Sequence, residues 1–336
     1  MKRLLILTDG KAGHENQSKA FVRALGRSFD VVSVSYQSKV AKALSYVLDW
    51  LGVHTMALME DPGRFGGLDW NAYDAVVGTG SGTFYAAKAI GRLLKVPCGV
   101  VLYPRGYRLS SFGCVLAPAF DRPRKAANVV EIPVNLVAND AAFYEKGVAD
   151  FRKRTPVVPE LAVIVGGPNK CSTMTPEWMR RQLDAIFRLP GPKAVTTSRR
   201  TPPEVEAVVA SYPWDYCLLY SKDRFNPIPA FVTLAKRLYV TAESTGMLSE
   251  ACTFGDAEVF ALDNLNAGDH KFRRFVEGLA KGGYARVFRP GAADDAGNDA
   301  ASPSPCNRKI DLSPLFSRAK ALLKLDDAKG SRPGLI

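Results

Sequence analysis

Short apolar runs alternate with segments of helical periodicity along the chain. This alternation occurs once in the first half of the chain and again in the second half. In the first half, the runs at residues 4–7 and 75–77 each precede a helical segment. In the second half, residues 161–165 and 238–241 do the same. A short apolar strand followed by a helix is typical of βαβ units in a parallel sheet. The sequence therefore predicts an α/β fold built from two doubly wound domains.

The chain is long enough for two domains that each bury a core, since it has 336 residues. A charged, proline-bearing stretch at 152–159 marks the predicted hinge. We expect an N-terminal domain over residues 1–152, a C-terminal domain over 153–310 and a final helix over 311–336 that can cross back to the first domain. Residues 290–305 are rich in Gly, Ala, Asp, Ser and Pro, which predicts a mobile loop.

Apolar run lengths and cysteine spacing indicate the cellular compartment. The longest apolar runs are far shorter than the roughly eighteen residues of a bilayer-spanning helix, and the first of them is too short for a signal peptide. The six cysteines are scattered without a C-x-x-C pair, and the three histidines lie far apart, which argues against a zinc site and a disulfide framework. We expect a cytoplasmic protein with reduced thiols and no metal; a peripheral position on the inner membrane stays open.

The net charge of +12 indicates an anionic partner. Nucleic acid, a phosphorylated metabolite and an acidic membrane surface are the three candidates. No zinc-finger, RRM or KH signature accompanies the charge, so we expect no nucleic-acid partner.

One segment of the first half bears on the membrane alternative. Val40, Leu44, Val47, Leu48 and Leu51 recur at helical spacing, with Tyr46 and Trp50 nearby and Lys39 and Lys42 at the start. Such a helix can rest on a lipid surface or turn its apolar side to the core of the first domain. We favour the core.

Two loops of the first half follow predicted strands, where parallel α/β sheets bind ligands. In residues 8–17, Gly10 and Gly13 permit a tight turn at a helix N-terminus. This loop matches neither G-x-G-x-x-G nor a P-loop, which disfavours a dinucleotide and excludes a Walker site. Asp9 and His14 are candidate general bases; a helix cap for Asp9 and a backbone-bonded imidazole for His14 are the structural alternatives. The other acceptor-side candidates, from this loop and the glycine-rich one that follows residue 77, are Gly10, Lys11, Gly13, Gln17, Gly80 and Ser81.

Three loops of the second half carry groups suited to a phosphate. Paired glycines end one predicted strand and let a phosphate approach backbone amides, and paired arginines end the next. A third loop places hydroxyls and amides at a helix N-terminus, with Glu250 a turn further on to hold ribose hydroxyls. For Glu243 and Ser244, helix capping is the alternative role. The predicted donor-site residues are Gly166, Gly167, Asn169, Ser198, Arg199, Arg200, Thr201, Thr241, Glu243, Ser244, Thr245, Gly246, Met247 and Glu250.

Five motifs follow one another in a fixed order over most of the chain. They are DGKAGHENQ at 9–17, GGPN at 166–169, SRRTP at 198–202, NP at 226–227 and TAESTGMLSEA at 241–251. In these motifs the chain resembles the elongated-mitochondria (mitochondrial fission) family and its bacterial relatives, which are similar to glycosyltransferases of the GT-B fold. It departs from the family at 242–244, where an aspartate-serine pair is more usual.

The resemblance implies two Rossmann-like domains that face each other across a cleft, as in GT-B enzymes. It implies that the second domain holds the nucleotide diphosphate, with Glu250 on the ribose and residues 244–247 at the phosphates. His14 resembles the glycine-loop histidine of the lipid-linked N-acetylglucosamine transferase of peptidoglycan synthesis, and the first domain would present acceptor and base. Such enzymes need no metal or cofactor, because helix N-termini and basic side chains stabilise the leaving diphosphate.

We therefore expect a glycosyltransferase that moves a sugar from a nucleotide-sugar donor to a glycan or lipid-linked acceptor, in cell-envelope glycan or lipopolysaccharide synthesis. An anionic inner-leaflet membrane surface is a further expected partner. Two alternatives stay open. One is a non-hydrolysing nucleotide-sugar epimerase, which can share a similar fold; the other is a non-catalytic adaptor of the mitochondrial-fission type.

Overall fold

The computed structural model describes residues 2–65, 69–290, 306 and 308–325. Two compact units divide the chain. Unit 1 comprises Met1–Ile132, Leu136–Ala138 and Leu312–Ile336, and unit 2 comprises Pro133–Asn135 and Asn139–Asp311. The predicted mobile loop at 290–305 lies, after its first residue, outside the described part of the chain.

Twelve strands form two six-stranded sheets, one in each unit. The strands of unit 1 are β1 (Arg3–Thr8), β2 (Phe29–Ser33), β3 (Tyr73–Thr79), β4 (Cys98–Val101), β5 (Cys114–Pro118) and β6 (Val129–Ile132). Those of unit 2 are β7 (Leu161–Ile164), β8 (Lys193–Thr196), β9 (Tyr216–Leu218), β10 (Arg237–Thr241), β11 (Glu258–Leu262) and β12 (Arg286–Phe288). All neighbouring strands are parallel, and the central ones read as continuous apolar runs because both of their faces are covered.

Ten α-helices connect and cover these strands in the described residues. They are α1 (Ala12–Ala24), α2 (Lys39–Trp50), α3 (Phe84–Leu94), α4 (Ala141–Arg152), α5 (Pro176–Phe187), α6 (Pro203–Ala210), α7 (Ile228–Leu234), α8 (Thr245–Thr253), α9 (Lys271–Lys281) and α10 (Ser313–Leu322). The predicted α/β architecture with two doubly wound sheets is confirmed. Helix α4 lies in unit 2, whereas we expected its residues at the end of the first domain, and α10 lies in unit 1.

Strand order places one topological switch point in each sheet. In unit 1 the order is β2-β1-β3-β4-β5-β6, so the chain reverses direction between β1 and β3. In unit 2 the order is β12-β11-β10-β7-β8-β9, so the reversal falls between β7 and β10. Loops that leave the carboxyl ends of these strands diverge, and ligands of open α/β sheets bind in the crevice that results.

The orientation of α2 differs from the one we favoured. Its buried residues are Ala41, Ser45 and Asp49, and Tyr46 and Leu48 pack against the core of unit 1. The other apolar residues of the helix are exposed, Val40 by 75% and Trp50 by 73%. The core-facing interpretation holds for Leu48 but is wrong for Val40, Leu44, Val47 and Leu51. Helical periodicity alone identified the stripe, but the hydrogen bonds of the opposite, polar side decide which way it faces.

Candidate functional site

The two glycines after β7 lie at the switch point of unit 2 and contact the protein's own loops. The amide of Gly166 donates to Thr241 Oγ1 at 2.8 Å, and that of Gly167 donates to Glu243 Oε1 at 2.8 Å. A Cβ atom on Gly166 would lie 2.1 Å from Glu243 Oε1, and one on Gly167 would lie 2.1 Å from the carbonyl oxygen of Arg200. Both amides are occupied, so these glycines bring the loops after β8 and β10 together instead of receiving a phosphate.

Glu243 is the buried centre of this cluster, since only 2% of the residue is exposed. Its carboxylate also accepts hydrogen bonds from Thr241 Oγ1 at 3.0 Å and from Asn264 Nδ2 at 2.7 Å. Burial raises the pKa of Glu243 above its ordinary value, and these hydrogen bonds only partly offset the effect. Glu243 therefore holds three loops together and is not a helix cap. Sequence reasoning missed Asn264, whose position directly after β11 was the available signal.

The free energy of unfolding of Glu243→Gln is expected to rise relative to that of wild type as the pH increases from about pH 4 to pH 7. The folded-state pKa is raised, so the wild-type carboxyl contributes its full stability only below its unfolded pKa and loses it as the pH rises through the folded pKa. Glutamine has no such proton to lose. Thermal unfolding of both proteins across this range measures the difference, with the exposed Glu277→Gln as control. A difference that is constant with pH would contradict the buried titration.

Helix α8 starts beside this cluster with open space in front of it. Its N-cap residue, Ser244, makes no side-chain capping bond, and its Oγ lies 3.2 Å from Met247 Sδ. Among the described residues, no backbone carbonyl accepts from the amides of Gly246 and Met247, and a Cβ atom on Gly246 would meet no heavy atom within 4 Å. Unpaired amides at a helix N-terminus form a ready site for an anion. Thr245, the first helical residue, uses its carbonyl to accept from Ser249 Oγ.

Glu250 lies further along α8 and is held by the start of α4. Its Oε1 accepts from Tyr144 Oη at 2.9 Å and from Asn139 Nδ2 at 3.2 Å. Burial raises the pKa of Glu250 and, together with the carboxyl group beside it, the pKa of Tyr144. Phe254 packs against the Tyr144 ring, with 4.6 Å between the centroids. Sequence reasoning missed Asn139 and Tyr144, because more than a hundred residues separate them from Glu250.

The remaining donor-site candidates occupy the loops after β7 and β8. Thr201 Oγ1 donates to the Gly166 carbonyl at 2.6 Å and accepts from the Ser198 amide at 2.9 Å, so it ties the two loops together. Asn169 Oδ1 accepts from the Cys171 amide in a local turn. The side chains of Arg199 and Arg200 point into solvent. Neither forms an ion pair within the described ranges, which leaves both guanidinium groups available to an anion.

In unit 1, Asp9 and His14 meet directly at the switch point between β1 and β3. His14 Nδ1 lies 3.1 Å from both carboxylate oxygens of Asp9, and Lys11 Nζ donates to Asp9 Oδ2 at 3.0 Å. Burial alone would raise the pKa of Asp9, but Lys11 and His14 together hold it below its ordinary value. An ionised carboxylate can only accept, so Nδ1 carries a proton, and in the neutral imidazole Nε2 then presents its lone pair. This is the arrangement of an oriented general base.

The glycine-rich loop after β3 is shaped around this pair. Gly80 has a φ of +83°, and a Cβ atom there would lie 2.3 Å from the His14 ring; one on Gly82 would lie 2.7 Å from Asp9 Cβ. Ser81 Oγ accepts from Lys42 Nζ at 3.1 Å. The structure thus brings the predicted catalytic residues His14 and Asp9 together with Lys11 and Gly80, two of the predicted acceptor-side residues.

The other acceptor-side candidates have looser surroundings. Gly10 has a φ of +78°, and its amide donates to Thr8 Oγ1 at 3.2 Å. A glycine is therefore needed at this position for the conformation of the turn. A Cβ atom on Gly13 would meet no heavy atom of the described residues within 4 Å. Gln17 Oε1 is buried without a hydrogen-bond partner among the described residues, which leaves an acceptor unused near the pair.

Neither a metal-binding cluster nor a membrane-spanning helix is present in the described residues. Across residues 2–65, 69–290, 306 and 308–325, no group of three or more His, Cys, Asp or Glu side chains is placed to hold a metal ion. In the same ranges, every helix is too short or too polar to traverse a bilayer.

Comparison with known proteins adds a family and a fold. The family model for mitochondrial fission ELM1 matches residues 12–309, while no curated protein matches the sequence. The UDP-GlcNAc 2-epimerase from Neisseria meningitidis bound to UDP-GlcNAc is 12% identical, with 97% of this chain and 99% of that chain covered and a TM-score of 0.56. The S. aureus MnaA–UDP co-structure is 12% identical, with 99% of this chain and 100% of that chain covered and a TM-score of 0.51. The predicted fold class, two Rossmann-like domains of the GT-B type, is confirmed.

Proposed function

The chain belongs to the mitochondrial fission ELM1 family, and we propose that it is a metal-independent glycosyltransferase that uses a nucleotide-activated sugar. The observation that carries the proposal is the open N-terminus of α8 at the switch point of unit 2, where two amides have no hydrogen-bond partner among the described residues and adjoin free space. Switch points are where open α/β sheets bind ligands, and helix N-termini favour phosphates. The structures of similar fold that contain UDP or UDP-GlcNAc agree with this choice of ligand.

Unit 2 would hold the donor through three kinds of contact. The amides of Gly246 and Met247 would bind the diphosphate, and the exposed Arg199 and Arg200 would neutralise its charge. Glu250 would accept hydrogen bonds from the ribose hydroxyls through its second carboxylate oxygen, since the first is already bonded. As the bond to the sugar breaks, negative charge grows on the diphosphate, and the helix N-terminus and the arginines stabilise it without a metal.

Unit 1 would supply the base. His14 Nε2 takes the proton of an acceptor hydroxyl, the acceptor oxygen forms a bond to the anomeric carbon, and the bond from that carbon to the diphosphate breaks. The products are the glycosylated acceptor, a nucleoside diphosphate and a proton on His14. Asp9 keeps the imidazole in the required tautomer and stabilises the imidazolium as it forms.

We propose a glycan or a lipid-linked molecule of the cell envelope as acceptor, and an anionic membrane leaflet as a further partner. The net charge of +12 supports both, because each of these partners carries phosphate or acidic groups. A nucleotide-sugar 2-epimerase is the second candidate, and the similarity of fold to the Neisseria enzyme favours it. Interconversion of two nucleotide-sugars without any acceptor would establish that alternative.

Gly246→Asp is expected to weaken nucleoside-diphosphate binding by at least about tenfold, because it places a like charge where the diphosphate would lie. The fold should tolerate it, since a carboxylate at a helix N-terminus adds about 0.3–1 kcal/mol of stability. The measurement is thermal stabilisation by UDP, ADP, GDP and CDP, which reports binding to the folded state. Gly246→Ala is the matched control for the loss of glycine. If no diphosphate stabilises the wild type, the transferase proposal fails and the adaptor alternative gains.

A further inference from the structure

Helix α2 presents an apolar stripe to solvent. We define the apolar stripe as Val40, Leu44, Val47, Trp50 and Leu51, each of which is at least 42% exposed. Four of these positions, 40, 44, 47 and 51, follow the i, i+4, i+7, i+11 spacing of a single helix face. A continuous row of exposed apolar side chains on one helix is far more than the scattered single residues of an ordinary surface, and it indicates an interaction site.

The inner side of α2 explains why the stripe cannot turn inward. Asp49 Oδ1 accepts from Lys88 Nζ at 2.5 Å and from His54 Nε2 at 2.9 Å, and its Oδ2 accepts from the Arg108 amide at 2.7 Å. Ser45 Oγ bonds to Tyr107 Oη at 2.9 Å beside it. A rotation that buried the stripe would remove a buried carboxylate from all three partners, which is strongly unfavourable. The exposed orientation is therefore fixed by the fold.

A basic groove adjoins the end of the stripe. The groove has a volume of about 630 Å³, and Arg105, Arg108 and Arg124 line it together with Tyr103 and the stripe residue Trp50. We call it the arginine groove. Arg108 Nη1 donates to the Trp50 carbonyl at 3.1 Å, which joins groove and helix, and Arg105 donates to the carbonyl of Asp121, whose carboxylate lies 3.9 Å away. None of the residues that line the groove is acidic.

We propose that the apolar stripe and the arginine groove dock unit 1 on the surface of an anionic lipid bilayer. The stripe would enter the boundary between headgroups and acyl chains, with Trp50 at headgroup level, and the groove would receive lipid phosphates. Charge complementarity selects this occupant over a second copy of a protein that itself carries +12. Asp49 is the one acidic residue within Lys39–Trp50, and it is buried. An apolar helix face flanked by cations is the pattern of an interfacial membrane helix.

Vesicle co-sedimentation of the full chain tests the proposal. Wild type should bind vesicles of phosphatidylcholine mixed with phosphatidylglycerol, and bind them more weakly as salt increases. The variant V40S/L44S/V47S/L51S should bind at least about tenfold more weakly, because each lost apolar side chain removes insertion energy. Val158→Ser, at an exposed apolar position of unit 2, is the matched control and should bind as wild type does. All of these positions are exposed, so thermal unfolding should be nearly unchanged.

The arginine groove gives a second, separable variant. R105A/R124A should weaken binding to the phosphatidylglycerol vesicles and flatten its salt dependence, even if the stripe variant were to unfold. Equal binding of wild type and both variants would overturn the proposal. A wild-type protein that is dimeric while the stripe variant is monomeric would also overturn it, because a second copy would then cover the stripe. None of these outcomes depends on nucleotide binding, so this proposal and the transferase proposal fail separately.

Discussion

His14→Ala is expected to lower the rate of sugar transfer by about 10²- to 10⁴-fold, the usual contribution of a positioned general base. In the neutral imidazole, the bond to Asp9 places the proton on Nδ1 and leaves Nε2 able to accept one, and alanine offers nothing that can take the acceptor proton. The imidazole is partly exposed and bonds only to Asp9 among the described side chains, so the fold should survive the change. Release of nucleoside diphosphate in the presence of a lipid extract measures the rate.

Two companion variants make the His14 result specific. Asn16→Ala changes an exposed residue of the same helix and should leave the rate at the wild-type value. Asp9→Asn should lower the rate while diphosphate binding in unit 2 stays intact, because an amide favours the wrong tautomer. A His14→Ala protein that transfers sugar at the wild-type rate would show that the base is another residue.

Lys88→Met is expected to lower the free energy of unfolding by about 3–5 kcal/mol, the cost of leaving a buried charge without its partner. Lys88 Nζ bonds to Asp49 and to the Arg108 carbonyl, and both charged side chains are 1% exposed. Burial lowers the pKa of Lys88, whereas for Asp49 the hydrogen bonds it accepts outweigh burial and lower its pKa. Denaturant unfolding measures the change.

Two comparisons test that explanation for Lys88. Lys19→Met breaks a partly exposed pair with Glu15 and should cost only about 0.3–0.5 kcal/mol. The double variant Lys88→Met, Asp49→Leu should recover much of the stability, because it removes the stranded charge as well. If the double variant is as unstable as the sum of its single variants, the loss comes from packing and not from the buried pair.

The sequence was sufficient for the architecture because its strands are short apolar runs and its connections are helices. It did not identify β5, β6 and β12, which are only three to five residues long, or α4, whose apolar pattern is weak. It also missed α9, although Phe275, Val276 and Leu279 recur there at helical spacing. The direction in which α2 faces depends on Asp49 finding partners that lie up to 59 residues away in the chain. Such partners are invisible to periodicity, which describes one segment at a time.

In the candidate site, too, sequence patterns identified local features but not contacts between distant segments. The sequence placed Asp9 and His14 in one loop as separate candidate bases, but it did not predict the hydrogen bond between them. For Gly166 and Gly167 the sequence indicated loops of close approach, but the approaching groups are Glu243 and the Arg200 carbonyl, not a phosphate. Asn264 and Tyr144 come from other strands and helices. Only the fold reveals contacts between residues so distant in sequence.

A crystal structure of the chain grown with the diphosphate that stabilises it most tests the central claim most directly. We predict the diphosphate at the amides of Gly246 and Met247, with the ribose hydroxyls on Glu250 and the guanidinium groups of Arg199 and Arg200 turned toward the phosphates. A nucleotide bound elsewhere, or an empty α8 N-terminus at saturating nucleotide, would contradict the assignment of unit 2 as the donor-binding unit.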